Sequence, residues 1–239
     1  MERFLEGKTA LVTGGTRGIG RAIAEALGSA GAAVAICGRT EDRVARAVNE
    51  LKAQTNSLIC GRASDMRSRE AVRELFELVD RELGGVDIVV NNAGVGVFAP
   101  VAEMDPADWE RVIGTNLTGV FHCCQEALQR FKKRGGGFLI QIGSLAGRNP
   151  FAGGAAYNAS KFGLNGFAEA MMLDHRYDNV RVSTILPGSV NTEFSPRSRR
   201  ADWKIAPEDV AEIVIAILRM PERTLISCVE VRPSKPVKG

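Results

Sequence analysis

The sequence predicts an α/β fold, with one doubly wound parallel sheet of about seven strands and helices on both faces. Three observations support this fold class. Short apolar runs alternate with longer segments of helical periodicity along the chain, which is the order expected of strand–helix–strand units. Most of the runs are continuously apolar, as in strands that helices cover on both faces. Neither a linker nor a short repeat divides the 239 residues, so we expect a single domain over 1–239.

The predicted elements alternate in order along the chain. Strands are predicted at 9–13, 33–37, 57–60, 86–91, 138–142, 180–186 and 225–231. Helices are predicted at about 18–30, 40–54, 68–83, 106–132, 155–176 and 207–219. Cap or first-turn residues support three of the helix starts: Thr40 before two acids, Asp105 before a proline, and Pro207 before two acids.

The composition is that of a globular protein, with 45% apolar and 25% charged residues, and it excludes a coiled coil or a disordered chain. The net charge of +3 does not indicate a nucleic-acid partner. The five cysteines are odd in number and form no CxxC pair, and there are two histidines, so neither a disulfide framework nor a metal site is expected. Because we find no signal peptide and no apolar run long enough to span a bilayer, we expect a cytoplasmic protein that is not bound to membranes.

Two predicted helices, 106–132 and 155–176, carry apolar residues on more than one face. A helix that is apolar nearly all round is buried nearly all round, so one side would meet the sheet and the other a second copy of the chain. The outward positions include Phe121, Cys124, Phe167 and Met171. We therefore expect a homo-oligomer; a cover from the chain's own loops is the alternative.

A glycine-rich turn follows the first strand, where residues 13–20 read TGGTRGIG and lead into a helix. Glycines at such a turn let the backbone approach a ligand closely, and the helix N-terminus offers free N–H groups to a pyrophosphate. The spacing differs from the commoner G-x-G-x-x-G. Its place after the first strand predicts a dinucleotide site; a plain tight turn is the alternative.

The end of the second strand indicates which nucleotide is bound. An acid about 20 residues after the loop would hold the ribose hydroxyls of NAD, but Arg39 stands there. Arg39, and Arg17 within the loop, can each pair with a 2′-phosphate. We expect NADP(H); the alternative is that both arginines are solvated surface residues.

Further polar residues follow the fourth and fifth strands and begin a helix. The segment 91–94 reads NNAG, Ser144 follows the fifth strand, and Tyr157 and Lys161 lie four apart on one helix face. Ligands bind at the carboxyl ends of parallel strands, so Ser144 and Tyr157 are expected beside the cofactor. Each residue alone also has a structural interpretation: a half-buried aromatic, a turn residue or a surface charge.

These motifs together resemble the short-chain dehydrogenase/reductase family, whose fold is of the Rossmann type. The resemblance extends from about residue 6 to 231 and rests on an ordered set: Thr13-Gly14, Gly18, Gly20, Asn91-Asn92-Ala93-Gly94, Asn116, Ser144, Tyr157-x-x-x-Lys161 and Pro187-Gly188. It implies an NADP-dependent oxidoreductase that transfers a hydride between the nicotinamide and a carbonyl or secondary alcohol. It also implies a homotetramer or dimer.

The resemblance implies catalytic roles for Asn116, Ser144, Tyr157 and Lys161. Tyr157 would be the general acid and base, its pKa lowered from about 10 by the Lys161 ammonium. Lys161 would also hold the nicotinamide ribose, and Ser144 would orient the substrate oxygen. Asn116 would lie at a helix kink and hold a water joined to Lys161; satisfying the broken backbone is its alternative role.

Cofactor contacts implied in the same way extend along the chain. Asp65 would accept from the adenine amino group, and Val190 and Thr192 would meet the nicotinamide carboxamide. The predicted cofactor-binding residues are Gly14, Thr16, Arg17, Gly18, Ile19, Gly20, Arg39, Asp65, Asn91, Ala93, Gly94, Tyr157, Lys161, Pro187, Gly188, Val190 and Thr192.

The sequence departs from the family's usual pattern after Thr192. A short basic segment, 193–206, replaces a helical lid, and residues 233–239 are expected to form a disordered tail. Four cations and one acid at 195–204 would attract an anionic substrate such as a 3-oxoacyl thioester; a solvated loop is the alternative. Small ketones, sugars and polycyclic ketones also stay open as substrates. So does a second function class, an NADP-binding sensor or scaffold without turnover, although the intact Ser144, Tyr157 and Lys161 favour an enzyme.

Overall fold

The computed structural model describes residues 3–194 and 201–236. Its strands are β1 (Thr9–Val12), β2 (Ala33–Gly38), β3 (Ile59–Ala63), β4 (Ile88–Asn91), β5 (Gly137–Ile142), β6 (Val180–Pro187) and β7 (Cys228–Val231). Its helices are α1 (Gly18–Ser29), α2 (Glu41–Thr55), α3 (Arg69–Leu83), α4 (Pro106–Ile113), α5 (Gly119–Arg134), α6 (Ala155–His175) and α7 (Pro207–Leu218). A π-helical turn, Gly114–Thr118, joins α4 to α5. In the described part of the chain, no helix is long and apolar enough to cross a bilayer.

All seven strands are parallel and form one sheet in the order β3-β2-β1-β4-β5-β6-β7. Successive residues of a strand point to opposite faces. Ala10 and Val12 of β1 therefore pack in one core with α1, α2 and α7, whereas Leu11 packs in a second core with α3, α5 and α6. Because both faces are covered, the central strands are largely apolar, whereas the edge strands β3 and β7 each carry a charged residue, Arg62 and Glu230. The predicted α/β fold class is confirmed.

The strand order reverses at β1, which pairs with β2 on one side and with β4 on the other. The connections after β1 and β4 therefore diverge, and a crevice opens at the carboxyl end of the sheet. Side-chain bonds join the two loops there: Thr13 Oγ1 accepts the N–H groups of Asn92 and Ala93, each at 3.0 Å. This crevice positions the candidate site.

Several predicted elements differ in extent from the structure; β7, for example, begins at Cys228 and not at 225. The π-helical turn divides the predicted helix at 106–132, at the place where a kink at Asn116 was expected. The break arises because the Asn116 side chain turns inward and binds the backbone of Val95. The third strand begins later and runs on to Ala63, because its pairing with β2 continues as far as Gly38. Propensity places such boundaries poorly, since pairing decides them.

The predicted helix starts are partly realised. Asp105 caps α4 by accepting the N–H of Ala107 at 2.8 Å, and the Asp209 carboxylate accepts the N–H of Ala206 at 2.8 Å before α7. Thr40 does precede α2 in extended conformation, but within the described chain its side chain accepts no capping bond. The start of α2 depends instead on the acids of its first turn.

The prediction of outward apolar positions is wrong for two of the four residues. Cys124 and Met171 are 1% and 4% exposed and pack inside the chain's own core. The prediction failed because α5 and α6 contact neighbouring helices as well as the sheet, so the chain itself covers a wider helix surface. Phe121 stays exposed, and its ring lies 6.2 Å from that of Phe167.

Candidate active site

The carboxyl ends of six neighbouring strands border one open cavity of about 1620 Å³. The loops after β1 to β6 each contribute to its wall, through Gly14, Arg39, Asp65, Ala93, Ser144 and Gly188. Every residue predicted to bind the cofactor lines this cavity except Gly20 and Asn91. The fold therefore brings together residues that are up to 178 positions apart, from Gly14 to Thr192.

The glycine-rich loop after β1 has the backbone geometry that its sequence predicts. Gly14 and Gly18 have φ angles of 66° and 54°, in the left-handed region that glycine enters without strain. A Cβ at Gly20 would lie 2.3 Å from the Asn92 amide nitrogen, so this position packs against the wall instead of forming it. Asn92 donates to the carbonyls of Thr13 and Gly14 at 2.9 and 3.2 Å. The loop is thereby fixed at the N-terminus of α1, where a pyrophosphate fits.

The arginines expected to select the nucleotide border this end of the cavity. Arg39 is exposed on its wall. Arg17 also lines the wall, and its Nη1 lies 3.4 Å from Oε2 of Glu193, which links the glycine-rich loop to the loop after β6. The side chain of Arg67 binds both oxygens of Asp65 and lowers the pKa of that carboxyl. Asp65 thus stays ionised and can accept a hydrogen bond, but its carboxylate already accepts bonds from Arg67.

Ser144, Tyr157 and Lys161 converge beyond the end of β5. Tyr157 lies in the first turn of α6, and Lys161 follows one turn later on the same face. The Ser144 hydroxyl lies close enough to the Tyr157 phenol to oppose the rise of its pKa. The Lys161 ammonium lies 5.8 Å from the centre of the Tyr157 ring and donates to the carbonyl of Ile142 at 2.8 Å. A phenol, a hydroxyl and a buried amine therefore meet at one point of the cavity.

Asn116 lies behind this group, outside the cavity wall. Its amide nitrogen donates to the Val95 carbonyl at 2.9 Å and to Ser160 Oγ at 3.1 Å, and its oxygen accepts the Val95 N–H at 2.8 Å. Ser160 Oγ donates to the carbonyl of Tyr157 at 2.7 Å. Asn116 thus ties the loop after β4 to the turn that carries Tyr157. The water that it is expected to hold for Lys161 stays a prediction.

Comparison with known proteins decides what kind of protein has this site. A sequence model of the short chain dehydrogenase family matches residues 8–203. The chain belongs to the short-chain dehydrogenase family. The resemblance inferred from the motifs is confirmed, and this dehydrogenase is an oxidoreductase that uses a nicotinamide cofactor. The glycine cradle at the N-terminus of α1 fits such a group.

Individual relatives of the dehydrogenase match it over nearly its whole length. It is 36% identical over 226 residues to the 3-oxoacyl-(acyl-carrier-protein) reductase of Aquifex aeolicus, covering 90% of this chain and 91% of that protein. It is 34% identical over 195 residues to a 3alpha-hydroxysteroid dehydrogenase of Mediterraneibacter gnavus, covering 81% and 78%. A metagenomic short-chain oxidoreductase crystallised in complex with NADP superposes with a TM-score of 0.86 at 35% identity, covering 97% and 99%.

Burial controls the proton affinities at the centre of the dehydrogenase site. It lowers the pKa of Lys161 to about 8. It raises the pKa of Tyr157, and the neighbouring Ser144 hydroxyl opposes that rise. The expected lowering of the Tyr157 pKa by Lys161 is therefore wrong for this arrangement, because burial dominates and the ammonium donates to a backbone carbonyl. A phenol with a raised pKa holds its proton at neutral pH and can donate it.

Asn91, which was predicted to bind the cofactor, does not line the cavity, whereas its neighbour Asn92, for which no role was predicted, does. Asn91, the last residue of β4, is 2% exposed and donates to Cys124 Sγ at 3.5 Å, so its side chain faces α5 and not the cavity. Asn92 lines the cavity instead. Strand alternation was the signal that could have separated them. The sequence analysis also missed the role of Ser160, which links Asn116 to Tyr157. A polar residue inside the turn between Tyr157 and Lys161 was the signal that could have revealed it.

The predicted basic rim lies mostly outside the described residues, since Arg197, Arg199 and Arg200 fall within 195–200. In the described part, Lys204 borders the cavity, with its ammonium 5.8 Å from the Trp203 ring. Pro233 and Pro236 of the expected tail also line the cavity. The Gly188 N–H binds the Val231 carbonyl at 2.8 Å, which holds the start of this segment beside the loop after β6.

Proposed function

We propose that the protein transfers a hydride between NADP(H) and a ketone or secondary alcohol, with Tyr157 as general acid and base. One observation carries this proposal: the Tyr157 phenol, beside the Ser144 hydroxyl and close to the Lys161 ammonium, borders the same cavity as the glycine-rich loop. A bound nicotinamide would supply the hydride. Reduction of a ketone also needs a proton on oxygen, and the chain holds a proton donor at this place.

Each polar residue has a role that its position allows. Tyr157 would donate its phenolic proton to the carbonyl oxygen as negative charge develops there. Ser144, next to the same phenol, would orient that oxygen. Lys161, whose pKa of about 8 leaves it charged at neutral pH, would stabilise the phenolate that forms and bind ribose hydroxyls of the cofactor. Val190 and Thr192 would hold the carboxamide.

Three observations support NADP(H) as the form of the cofactor. Arg39 lines the cavity directly after β2, where an acid would be needed for the hydroxyls of NAD. Arg17, in the neighbouring glycine-rich loop, lines the same cavity, and a guanidinium pairs well with a phosphate. The metagenomic relative at 35% identity was crystallised with NADP.

A 3-oxoacyl thioester is a second candidate substrate. The 36% identity to the Aquifex aeolicus reductase over nine-tenths of both chains favours it. A basic rim at 195–204 would help by attracting the anionic carrier. The same Tyr157 chemistry would act on its ketone group, so the mechanism does not change.

The mechanism predicts that Tyr157→Phe lowers kcat by about 10²- to 10⁴-fold, while the affinity for NADPH stays nearly unchanged because the ring is kept. NADPH absorbance with a panel of ketones and 3-oxoacyl thioesters measures turnover, and quenching of protein fluorescence measures binding. Tyr177→Phe is the matched control, because Tyr177 is the other of the two tyrosines and is 91% exposed. A Tyr157→Phe variant with normal turnover would refute the mechanism, and a wild type that binds NADPH without turning over any carbonyl would indicate a sensor.

A further inference from the structure

Three phenylalanine rings form one cluster beside the candidate catalytic phenol, two of them against the Tyr157 ring itself. The Phe98 ring meets the Tyr157 ring edge-on at 5.7 Å between centroids, and the Phe194 ring lies 5.7 Å from it at a tilt. The Phe151 ring lies 5.6 Å from that of Phe98. All three line the cavity, and they are 38%, 46% and 40% exposed in the order Phe98, Phe151, Phe194. Contiguous exposed aromatic surface beside a reactive group is typical of a ligand site.

Backbone contacts fix two of these rings relative to each other. Ala99 forms a parallel bridge with Gly154, which joins the segment that carries Phe98 to the segment that carries Phe151. The Phe151 carbonyl accepts the N–H of Gly154 at 3.2 Å and the amide of Asn158 at 3.1 Å. Since Asn158 lies on α6 next to Tyr157, the rings and the phenol are held by the same helix turn.

Two glycines make room for the rings. A Cβ at Gly154 would lie 2.6 Å from a ring carbon of Phe151, so that ring packs directly on the backbone. A Cβ at Gly96 would lie 2.8 Å from ring carbons of both Phe194 and Phe98. The absence of side chains at these two positions leaves room for the three rings to pack as one cluster beside Tyr157.

We propose that Phe98, Phe151 and Phe194 form a subsite for an aromatic or alicyclic ring of the carbonyl substrate, which we name the ring subsite. This inference rests on the proposed function and specifies its substrate class. Aromatic rings pack with other rings edge-to-face or offset, and such contacts add to the free energy of apolar burial. A substrate ring covered by these three side chains would carry its ketone to the Tyr157 phenol.

The test compares two methyl ketones with equal numbers of carbon atoms, 4-phenyl-2-butanone and 2-decanone. The linear ketone is the more hydrophobic of the two, so simple apolar partition favours it. A ring subsite reverses that order, and we expect kcat/KM with NADPH to be at least about fivefold higher for the phenyl ketone. A ratio at or below one would overturn the ring subsite.

Variants then assign the preference to the rings. Phe98→Ala, Phe151→Ala and Phe194→Ala should each lower the ratio of the two kcat/KM values by about two- to tenfold. Phe162→Ala is the matched control, since Phe162 is 46% exposed and, among the described residues, is not part of the cavity wall. Gly96→Ala should lower the ratio without removing a ring, because its Cβ displaces Phe98 and Phe194. A ratio that none of these four substitutions changes would also overturn the proposal.

A binding measurement separates the ring subsite from the proposed chemistry. Calorimetric titration of the Tyr157→Phe variant with each ketone, with NADP⁺ present, gives the two Kd values without turnover. If the wild type reduces no carbonyl but the phenyl ketone still binds the variant more tightly than 2-decanone does, the proposed function fails and the ring subsite stands. If ketones are reduced but both bind equally, the ring subsite is overturned and the proposed function stands.

Discussion

Lys161 and Tyr157 lie one helical turn apart, and burial moves their pKa values in opposite directions. The cause is the same in both cases, since burial disfavours whichever form is charged. For Lys161 that form is the ammonium, so the pKa falls; for Tyr157 it is the phenolate, so the pKa rises. Reasoning from charge alone expected the lysine to lower the tyrosine pKa, and it missed the larger effect of burial.

The shifted pKa of Lys161 predicts a pH-dependent stability. Its pKa falls from 10.5 to about 8 on folding, so between these values the unfolded chain binds more protons and the free energy of unfolding rises with pH. This gain in the free energy of unfolding is lost as the pH falls toward 8. Relative to Lys161→Met, the wild type should gain about 2 kcal/mol from about pH 8 to about pH 10.

Urea denaturation of both proteins across this pH range measures the difference. A variant of the exposed Lys8, Lys8→Met, corrects for the loss of a lysine in general. If the difference in free energy of unfolding between the wild type and Lys161→Met stays constant with pH, Lys161 is not desolvated as described.

Arg39 predicts the choice between nucleotides. Arg39→Asp should weaken NADPH binding by about 2–4 kcal/mol, because a charge-assisted bond to the 2′-phosphate is lost and repulsion is added. NADH binding should change much less. Fluorescence titration with both nucleotides checks this, with Arg46→Asp as the control, since Arg46 is exposed on α2 away from the cavity wall of the described residues. A wild type that prefers NADH would contradict it.

At the scale of elements, the break between α4 and α5 determines where the Asn116 side chain points. The π-helical turn brings Asn116 inward, where its amide satisfies both backbone groups of Val95 and one hydroxyl of α6. A regular helix through 114–118 would present that side chain at a different angle. The turn thus couples the loop after β4 to the helix that carries Tyr157.

Two helix starts form a natural pair for a stability test. Ser68 caps α3, its Oγ accepting the N–H of Ala71 at 3.2 Å, whereas no capping bond of Thr40 is found in the described chain. Ser68→Ala should lower the free energy of unfolding by about 1 kcal/mol, and Thr40→Ala by a few tenths. Urea denaturation compares the two, and equal losses would mean that the cap of α3 contributes nothing of its own.

At the scale of the whole molecule, an exposed aromatic face remains on the side of the sheet that α5 and α6 cover. Phe121 of α5 and Phe162 of α6 are 42% and 46% exposed, and Phe121 contacts Phe167. Such a surface favours association with another copy of the chain. With Cys124 and Met171 buried inside, the predicted interface is smaller than the sequence indicated, and the aromatic residues dominate it.

This face predicts a homo-oligomer, a dimer or tetramer, in solution. Light scattering at micromolar concentration should give a mass of at least two chains, and Phe121→Glu should shift it toward one chain by placing a charge on the apolar face. Tyr177→Glu, at a 91% exposed position after α6, should leave the mass unchanged. A wild type with the mass of one chain would contradict the prediction.

The sequence by itself determined the features that short segments encode. Seven apolar runs identified seven strands, because helices cover both faces of most of the sheet. The glycine-rich turn and the Tyr157–Lys161 pair could be recognised because a tight turn and one helix face are local geometries. Strand ends at one edge of a parallel sheet then placed Gly14, Ser144 and Tyr157 in one crevice.

The tertiary structure decided what depends on contacts between distant segments. Which of Asn91 and Asn92 meets the cavity, and whether Cys124 faces a partner or the core, follow from strand register and helix packing. The pKa directions follow from burial, which no local pattern reveals. The ring subsite is the clearest case, since Phe98, Phe151 and Phe194 come from three loops and become one surface once the sheet has brought those loops together.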